Sequence, residues 1–180
     1  MNNIITNQVT ISKGATTSVL YATVDSGKII YRDKVDTVIG IKHPGIVLGK
    51  DYWGTVWVIH NHYQIGHPQI VSMDEFAIGC QVFYDKRPVF YNRTEIIERA
   101  VYHWQNKREY SWLFNNCQHF VNKITQGKSY SETVDRVSEN AMLTGGVLSL
   151  IGLFSGSKSM LNAGLTIAGV GATGKLLNKI

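Results

Sequence analysis

The 180-residue chain carries 18 Lys and Arg against 13 Asp and Glu, a formal charge of +5, with 44% hydrophobic and 11% aromatic residues. That length supports one sizeable core, and that composition excludes bulk disorder. The basic residues are scattered rather than clustered, so a nucleic-acid partner is not expected, whereas an anionic membrane surface is mildly favoured. Two cysteines, Cys80 and Cys117, do not make a disulfide framework.

The N-terminal stretch Met1 to Gln8 has no basic region followed by an apolar block, so no Sec signal is expected and a reducing, cytoplasmic setting is the default. Residues 1–28 are polar, with one strand expected around Val9 to Ser12. Strand-like runs follow at Ile29–Tyr31, Val38–Ile41, Gly45–Gly49 and Thr55–Ile59, the last two joined as an antiparallel hairpin with a long turn. Gln81 to Tyr84 is a further strand. The pattern then becomes helical. Asn92 or Thr94 caps a helix with Ile96, Ile97, Ala100, Val101 and Trp104 on one stripe. A second helix runs from Asn116 to Ile124 and is closed by Gly127, and a more polar third spans Ser131 to Asn140. Strands followed by helices in blocks predict an α+β fold.

The last forty residues differ in kind. Ala141 to Gly156 is apolar and glycine-rich, and Met160 to Gly174 repeats that character after Ser157-Lys158-Ser159. Neither run reaches the roughly 20 apolar residues that span a bilayer comfortably. Spacings such as Gly152 to Gly156 suit close helix approach, including self-association. Such segments are poor helix formers in water, which favours membrane contact, as an inserting helical hairpin or an interfacial anchor, over a buried pair of a soluble protein.

Chemistry concentrates at Leu113-Phe114-Asn115-Asn116-Cys117-Gln118-His119-Phe120-Val121. Asparagine is a preferred N-cap, and a cysteine in the first turn lies at the positive end of the helix dipole, which favours thiolate. A thiolate nucleophile needs a base and a group that orients the base. His43 stands immediately before one strand of the hairpin and His60 ends the other, so the two can lie side by side at one end of the sheet.

His43-Pro44-Gly45-Ile46-Val47-Leu48-Gly49, the strand ending in His60, Val71-Ser72-Met73-Asp74-Glu75-Phe76, the Cys117 nonapeptide and Thr125 to Ser131 occur in an order that resembles the lecithin:retinol acyltransferase-like (LRAT-like) domain. That family belongs to the NlpC/P60 superfamily of papain-like thiol enzymes with permuted topology. The resemblance covers residues 25–135. It implies an antiparallel sheet packed on a nucleophile-bearing helix. With the apolar C-terminal helical hairpin read from composition, the expected division is a domain over residues 1–138 and a membrane-contacting segment over 139–180.

Carried over by position, the resemblance makes Cys117 the nucleophile, His43 the general base and His60 the third member. Two departures stand out. Gln118 occupies a position where Glu is common, and the span from His43 to His60 is long and holds Trp53 and Trp57, which keeps His62 as a rival for the third position. His-x-His with Cys117 lacks the four ligands of a zinc site, so no metal is expected. His119 is expected to pack or cap, His67 to lie in a loop, His103 on a helix face, and Cys80 to be a structural thiol. Tyr52, Trp53, Trp57, Tyr63, Tyr110, Trp112 and Phe114 read as packing or as an apolar rim around the site.

The resemblance implies acyl transfer from phospholipid esters through a cysteine thioester, as a phospholipase A or acyltransferase without cofactor. Expected partners are the acyl-ester substrate and a membrane surface, and the expected location is cytoplasmic and membrane-associated, or that of an effector exported by a non-Sec route. The rival readings are an NlpC/P60-type cysteine peptidase or amidase, and a non-enzymatic membrane-active protein.

Overall fold

The computed structural model describes residues 8–13, 16–33, 42–62, 64–111, 115–155 and 157–178. The described residues form strands β1 (Gln8–Lys13), β2 (Thr16–Tyr21), β3 (Ile29–Asp33), β4 (Lys42–Lys50), β5 (Val56–His62), β6 (His67–Ser72) and β7 (Phe83–Tyr84). The helices are α1 (Met73–Ala77), α2 (Arg93–Gln105), α3 (Cys117–Gln126), α4 (Glu132–Ser155) and α5 (Lys158–Leu177). All strand pairings are antiparallel. β4 is central, with β3 then β7 on one side and β5 then β6 on the other, while the β1–β2 hairpin joins the end of β4 at Tyr21 opposite Lys50.

β4 is buried from His43 to Gly49 because both of its faces are covered, and a strand buried on two faces reads as a continuous apolar run. Ile46 and Leu48 point towards the helices and meet Ile29, Ile59, Ile96, Phe120, Val121 and Ile124. Val47 points the other way and joins Ile30, Val58 and Phe76 of α1. Gly45 makes that second layer possible, since a Cβ there would stand 2.9 Å from the Phe76 ring and 2.8 Å from a Val58 methyl.

The helix ends follow their sequence signals. Asn92 caps α2 and shares a capping box with Glu95, and Gly127 closes α3 at φ +71°. Several elements carry no clear sequence signal. α1 is only five residues long and is held by a Ser72–Glu75 capping box. β2 and β6 likewise lack a clear sequence signal, and His67 begins β6 instead of lying in a loop. Pro68 signals a break, yet β6 pairs only with β5 among the described strands, and an edge strand tolerates proline. The strand expected at Val38–Ile41 lies outside the described residues.

The polar third helix and the apolar run after it are one continuous helix, α4, which crosses the expected 138/139 boundary and packs antiparallel on α5. Glycine permits that contact by close approach. A Cβ on Gly145 would stand 2.3 Å from the Ala168 nitrogen, on Gly152 2.3 Å from the Leu161 nitrogen, and on Gly171 2.5 Å from the Ser138 carbonyl oxygen. Large apolar side chains face outward instead: Leu143 (69% exposed), Val147, Leu150, Leu165 and Val170 (67%). Among the described residues no helix is long and apolar enough to cross a membrane.

Candidate active site

Cys117 is the first residue of α3, and its side chain is buried, at 8% exposure. The turn is set by Asn116, whose Oδ1 accepts hydrogen bonds from the backbone N–H groups of Gln118 (2.9 Å) and His119 (3.0 Å). The cap thus engages the second and third N–H groups of the helix. At the far end Arg99 donates to the carbonyls of Ile124 (2.9 Å) and Lys123 (2.8 Å). A cation there and a polar cap at the start both align with the helix dipole. α3 lies across β4 and β5. The Asn61 amide donates to the carbonyl of Asn115 at 2.7 Å and ties the turn before Cys117 to the residue after His60.

His43 and His60 are brought together: Nε2 of His43 and Nδ1 of His60 are 2.7 Å apart, and the rings meet edge to face. Both are buried, and the ring of Phe76 lies against each, with centroids at 5.7 and 5.5 Å. Burial above all, reinforced by the charges of His62 and Arg32, pushes the His60 pKa down to about 3. His60 is therefore neutral across the physiological range. One proton lies between the two ring nitrogens, and the tautomers set which ring donates.

Arg32 is a member of this site that the sequence did not reveal. It stands opposite His43 in the β3–β4 register, is buried, and donates from Nε to the carbonyl of Phe76. Its guanidinium sits 5.7 Å from the Phe76 ring centroid. In the string Ile30-Tyr31-Arg32 it looks like any outward-facing arginine, and only the strand register exposes its position.

The remaining candidates fall as follows. β5 runs through His62, whose ring lies 5.3 Å from that of His60, so the two do share a face; burial and then Arg32 lower its pKa. His119 is buried, with neither ring nitrogen in hydrogen-bond geometry. Burial lowers its pKa, while the nearby Asn178 amide and Asp135 act in the opposite sense. His103 sits on α2 with a pKa near 4, through burial and then the cations Lys123, Arg99 and Arg108. Cys80 is half-buried in the turn after α1. Tyr52 and Trp53 stack edge to face at an exposed tip, and Trp57 donates to Asp51. Tyr63, Trp112 and Phe114 lie outside the described residues.

Gln118 is absorbed structurally. Its Oε1 accepts from the Ser131 hydroxyl (2.7 Å) and the Thr133 N–H (2.9 Å), so an acceptor is what the position needs. A cavity of about 230 Å³ opens between Pro44 and Gln118, the chain neighbours of His43 and Cys117, with Lys42, Tyr31 and Arg87 around it. A larger cavity of about 630 Å³ lies between the β1–β2 hairpin and α2 and holds none of these residues.

An antiparallel sheet with a helix whose first residue is cysteine, set across strands that carry a hydrogen-bonded histidine pair, defines an α+β protein of the LRAT and NlpC/P60 kind. Residues 23–130 match the family model described as Lecithin retinol acyltransferase, more than half of the chain. The chain belongs to the lecithin retinol acyltransferase family, which points to an enzyme with acyltransferase or phospholipase-type activity in general. Comparison with curated proteins gives no match.

Proposed function

We propose that the protein is a cysteine-dependent acyl hydrolase or acyltransferase that takes its acyl group from phospholipid esters at a membrane surface. The observation that carries this reading is the buried His43–His60 pair, with Nε2 of His43 held at 2.7 Å from a ring that stays neutral. Cys117 gives its thiol proton to Nδ1 of His43. The imidazolium then carries two N–H groups, and the one on Nε2 donates to Nδ1 of His60. The thiolate attacks the ester carbonyl carbon, and the carbonyl oxygen takes the negative charge. Backbone N–H groups of the nucleophile turn stabilise that oxygen, each such donor being worth on the order of 3 kcal/mol. Collapse breaks the ester C–O bond, and the leaving alkoxide takes the proton back from His43. Water, or an alcohol or amine acceptor, then attacks the thioester with His43 as base and restores the thiol.

The α4–α5 hairpin supports the choice of a lipid-borne substrate. A hairpin built for water buries its large apolar side chains between the helices. Here glycines and Ser138 fill the seam, and leucines and valines face outward on both helices. Small residues at the contact and large apolar residues outside are what a lipid environment favours. The charged residues of α4 all fall between Glu132 and Glu139, and those of α5 are Lys158 and Lys175 at its two ends.

Intact-mass spectrometry after mixing with phospholipid vesicles tests the reading. A fatty-acyl increment on the wild-type protein, absent from Cys117→Ala and accompanied by lysophospholipid, is the expected result. No adduct and no lipid turnover, with Cys117 still reactive towards alkylating agents, would redirect the assignment to an amidase acting on peptides.

A further inference from the structure

We infer that Asn178, just past the last turn of α5, is a positioning residue for the nucleophile turn, acting through Ser131 and Asn116. This rests on Cys117 being the nucleophile. Asn178 is 1% exposed, and its amide grips both backbone groups of Ser131: Oδ1 accepts from the N–H and Nδ2 donates to the carbonyl, each at 2.9 Å. Ser131 is fully buried in turn. Its hydroxyl donates to Gln118 Oε1 (2.7 Å) and accepts from Asn116 Nδ2 (3.1 Å) and from the Val134 N–H (3.3 Å), which uses all of its capacity.

The Asn116 contact decides what that residue can do. An asparagine amide caps a helix only if its oxygen, and not its NH₂, faces the first-turn N–H groups. With Nδ2 spent on the Ser131 hydroxyl, Oδ1 faces Gln118 and His119 at 2.9 and 3.0 Å. A rotated amide would aim donors at donors and leave buried N–H groups without acceptors. The relay from Asn178 through Ser131 to Asn116 therefore fixes the turn on which Cys117 is the first residue. It links the C-terminal hairpin to the nucleophile with no exposed member, over 61 residues of sequence from Cys117 to Asn178 (178 − 117).

The relay predicts a change in thiol reactivity that general loss of stability does not. In a Cys80→Ser background, iodoacetamide labelling of Cys117 is followed by mass spectrometry from pH 5 to 9, below the melting temperature of each variant. The wild-type midpoint should fall under the roughly 8.5 of an ordinary thiol. Asn178→Ala and Ser131→Ala should raise it by about one pH unit, a loss of up to about tenfold in thiolate at neutral pH, with kcat falling in step and KM unchanged. Ser131→Thr, which keeps the hydroxyl, should restore the profile. Asn178→Asp keeps the acceptor for the Ser131 N–H but sets a carboxylate oxygen against the Ser131 carbonyl, so it should move the midpoint the same way. Profiles that superimpose on wild type while melting temperatures fall would overturn the relay. A wild-type midpoint like that of an ordinary thiol, together with active Cys117→Ala, would instead overturn the nucleophile reading itself.

Discussion

The two halves of the molecule are built on opposite rules. In the sheet with α2 and α3, branched aliphatic side chains point inward and form two layers about β4. In the α4–α5 hairpin glycine and serine are inside, and leucine, isoleucine and valine are outside. The first arrangement takes its stability from removing apolar surface from water. The second leaves that surface available and gains close backbone contact instead. Polar groups are distributed to match. The first half buries a histidine pair and an arginine, each with partners, while the described buried polar groups of the hairpin lie at its base, where Ser138 packs on Gly171 and Gly174 and Asn178 grips Ser131.

The largest effect that bears on this contrast belongs to the inward-facing half. His43→Ala removes the base and should lower kcat by about 10³-fold, within the range for a positioned general base, with the fold retained. Ester turnover by the purified variant measures it. A loss under tenfold would assign the base to another residue. The hairpin offers the next effect. Gly152→Leu forces a side chain into the backbone of α5, where even a Cβ would sit 2.3 Å from the Leu161 nitrogen, and should cost about 3 kcal/mol in denaturant unfolding. Gly146 lies on the same helix with open space around it. Gly146→Ala should therefore be neutral or stabilising by up to about 1 kcal/mol through helix propensity. Equal destabilisation by both would mean that the seam is not what holds the hairpin.

The same contrast explains what could be read in the sequence. The Cys117 turn, its Asn116 cap and Gly127 were legible because capping and C-terminal glycine are local signals. His43 and His60 could be paired because a hairpin fixes relative position within a few residues. Arg32 was not legible, since its role comes from the β3–β4 register across eleven positions (43 − 32). Asn178 was not either, because nothing local distinguishes a buried clamp from an ordinary polar helix end. α4 reads as two segments because its composition changes near Asn140 while its backbone does not.

Lipid contact is sharpened by placing charge on the outward face. Leu150→Lys and Leu165→Lys, at exposed positions of α4 and α5, should each weaken partition onto phospholipid vesicles about tenfold, the effect of losing roughly 1.4 kcal/mol of apolar burial. Turnover of a soluble short-chain ester should be unchanged. Vesicle co-sedimentation alongside that soluble assay distinguishes a docking face from a general defect, and unaltered partition would rule out this face as the lipid contact.

Acid should act on the inward-facing half. His60 has a pKa near 3 in the fold and about 6.5 unfolded, so below pH 6.5 the unfolded chain takes up a proton that the folded chain refuses. The stability associated with this residue is fully present above pH 6.5 and is lost as pH falls towards 3, at up to about 1.4 kcal/mol per pH unit. The lowered pKa values of His62 and His119 add in the same direction. Urea midpoints should therefore drop between pH 7 and pH 5, and His60→Asn should flatten the slope. A slope unaffected by that change would place the acid sensitivity elsewhere.

The smallest expected effect is at Gln118. The side chain serves as an acceptor for the Ser131 hydroxyl and the Thr133 N–H. A carboxylate meets both donors equally well, and at the start of α4 it faces the positive end of a helix dipole, which contributes about 0.3–1 kcal/mol. Its negative charge also lies one residue from the thiolate and raises the cost of ionising Cys117. Gln118→Glu should thus raise the melting temperature slightly while shifting the Cys117 labelling midpoint upward by less than one pH unit. If stability fell instead, the acceptor role would be wrong and Gln118 would have to be holding its neighbours as a donor.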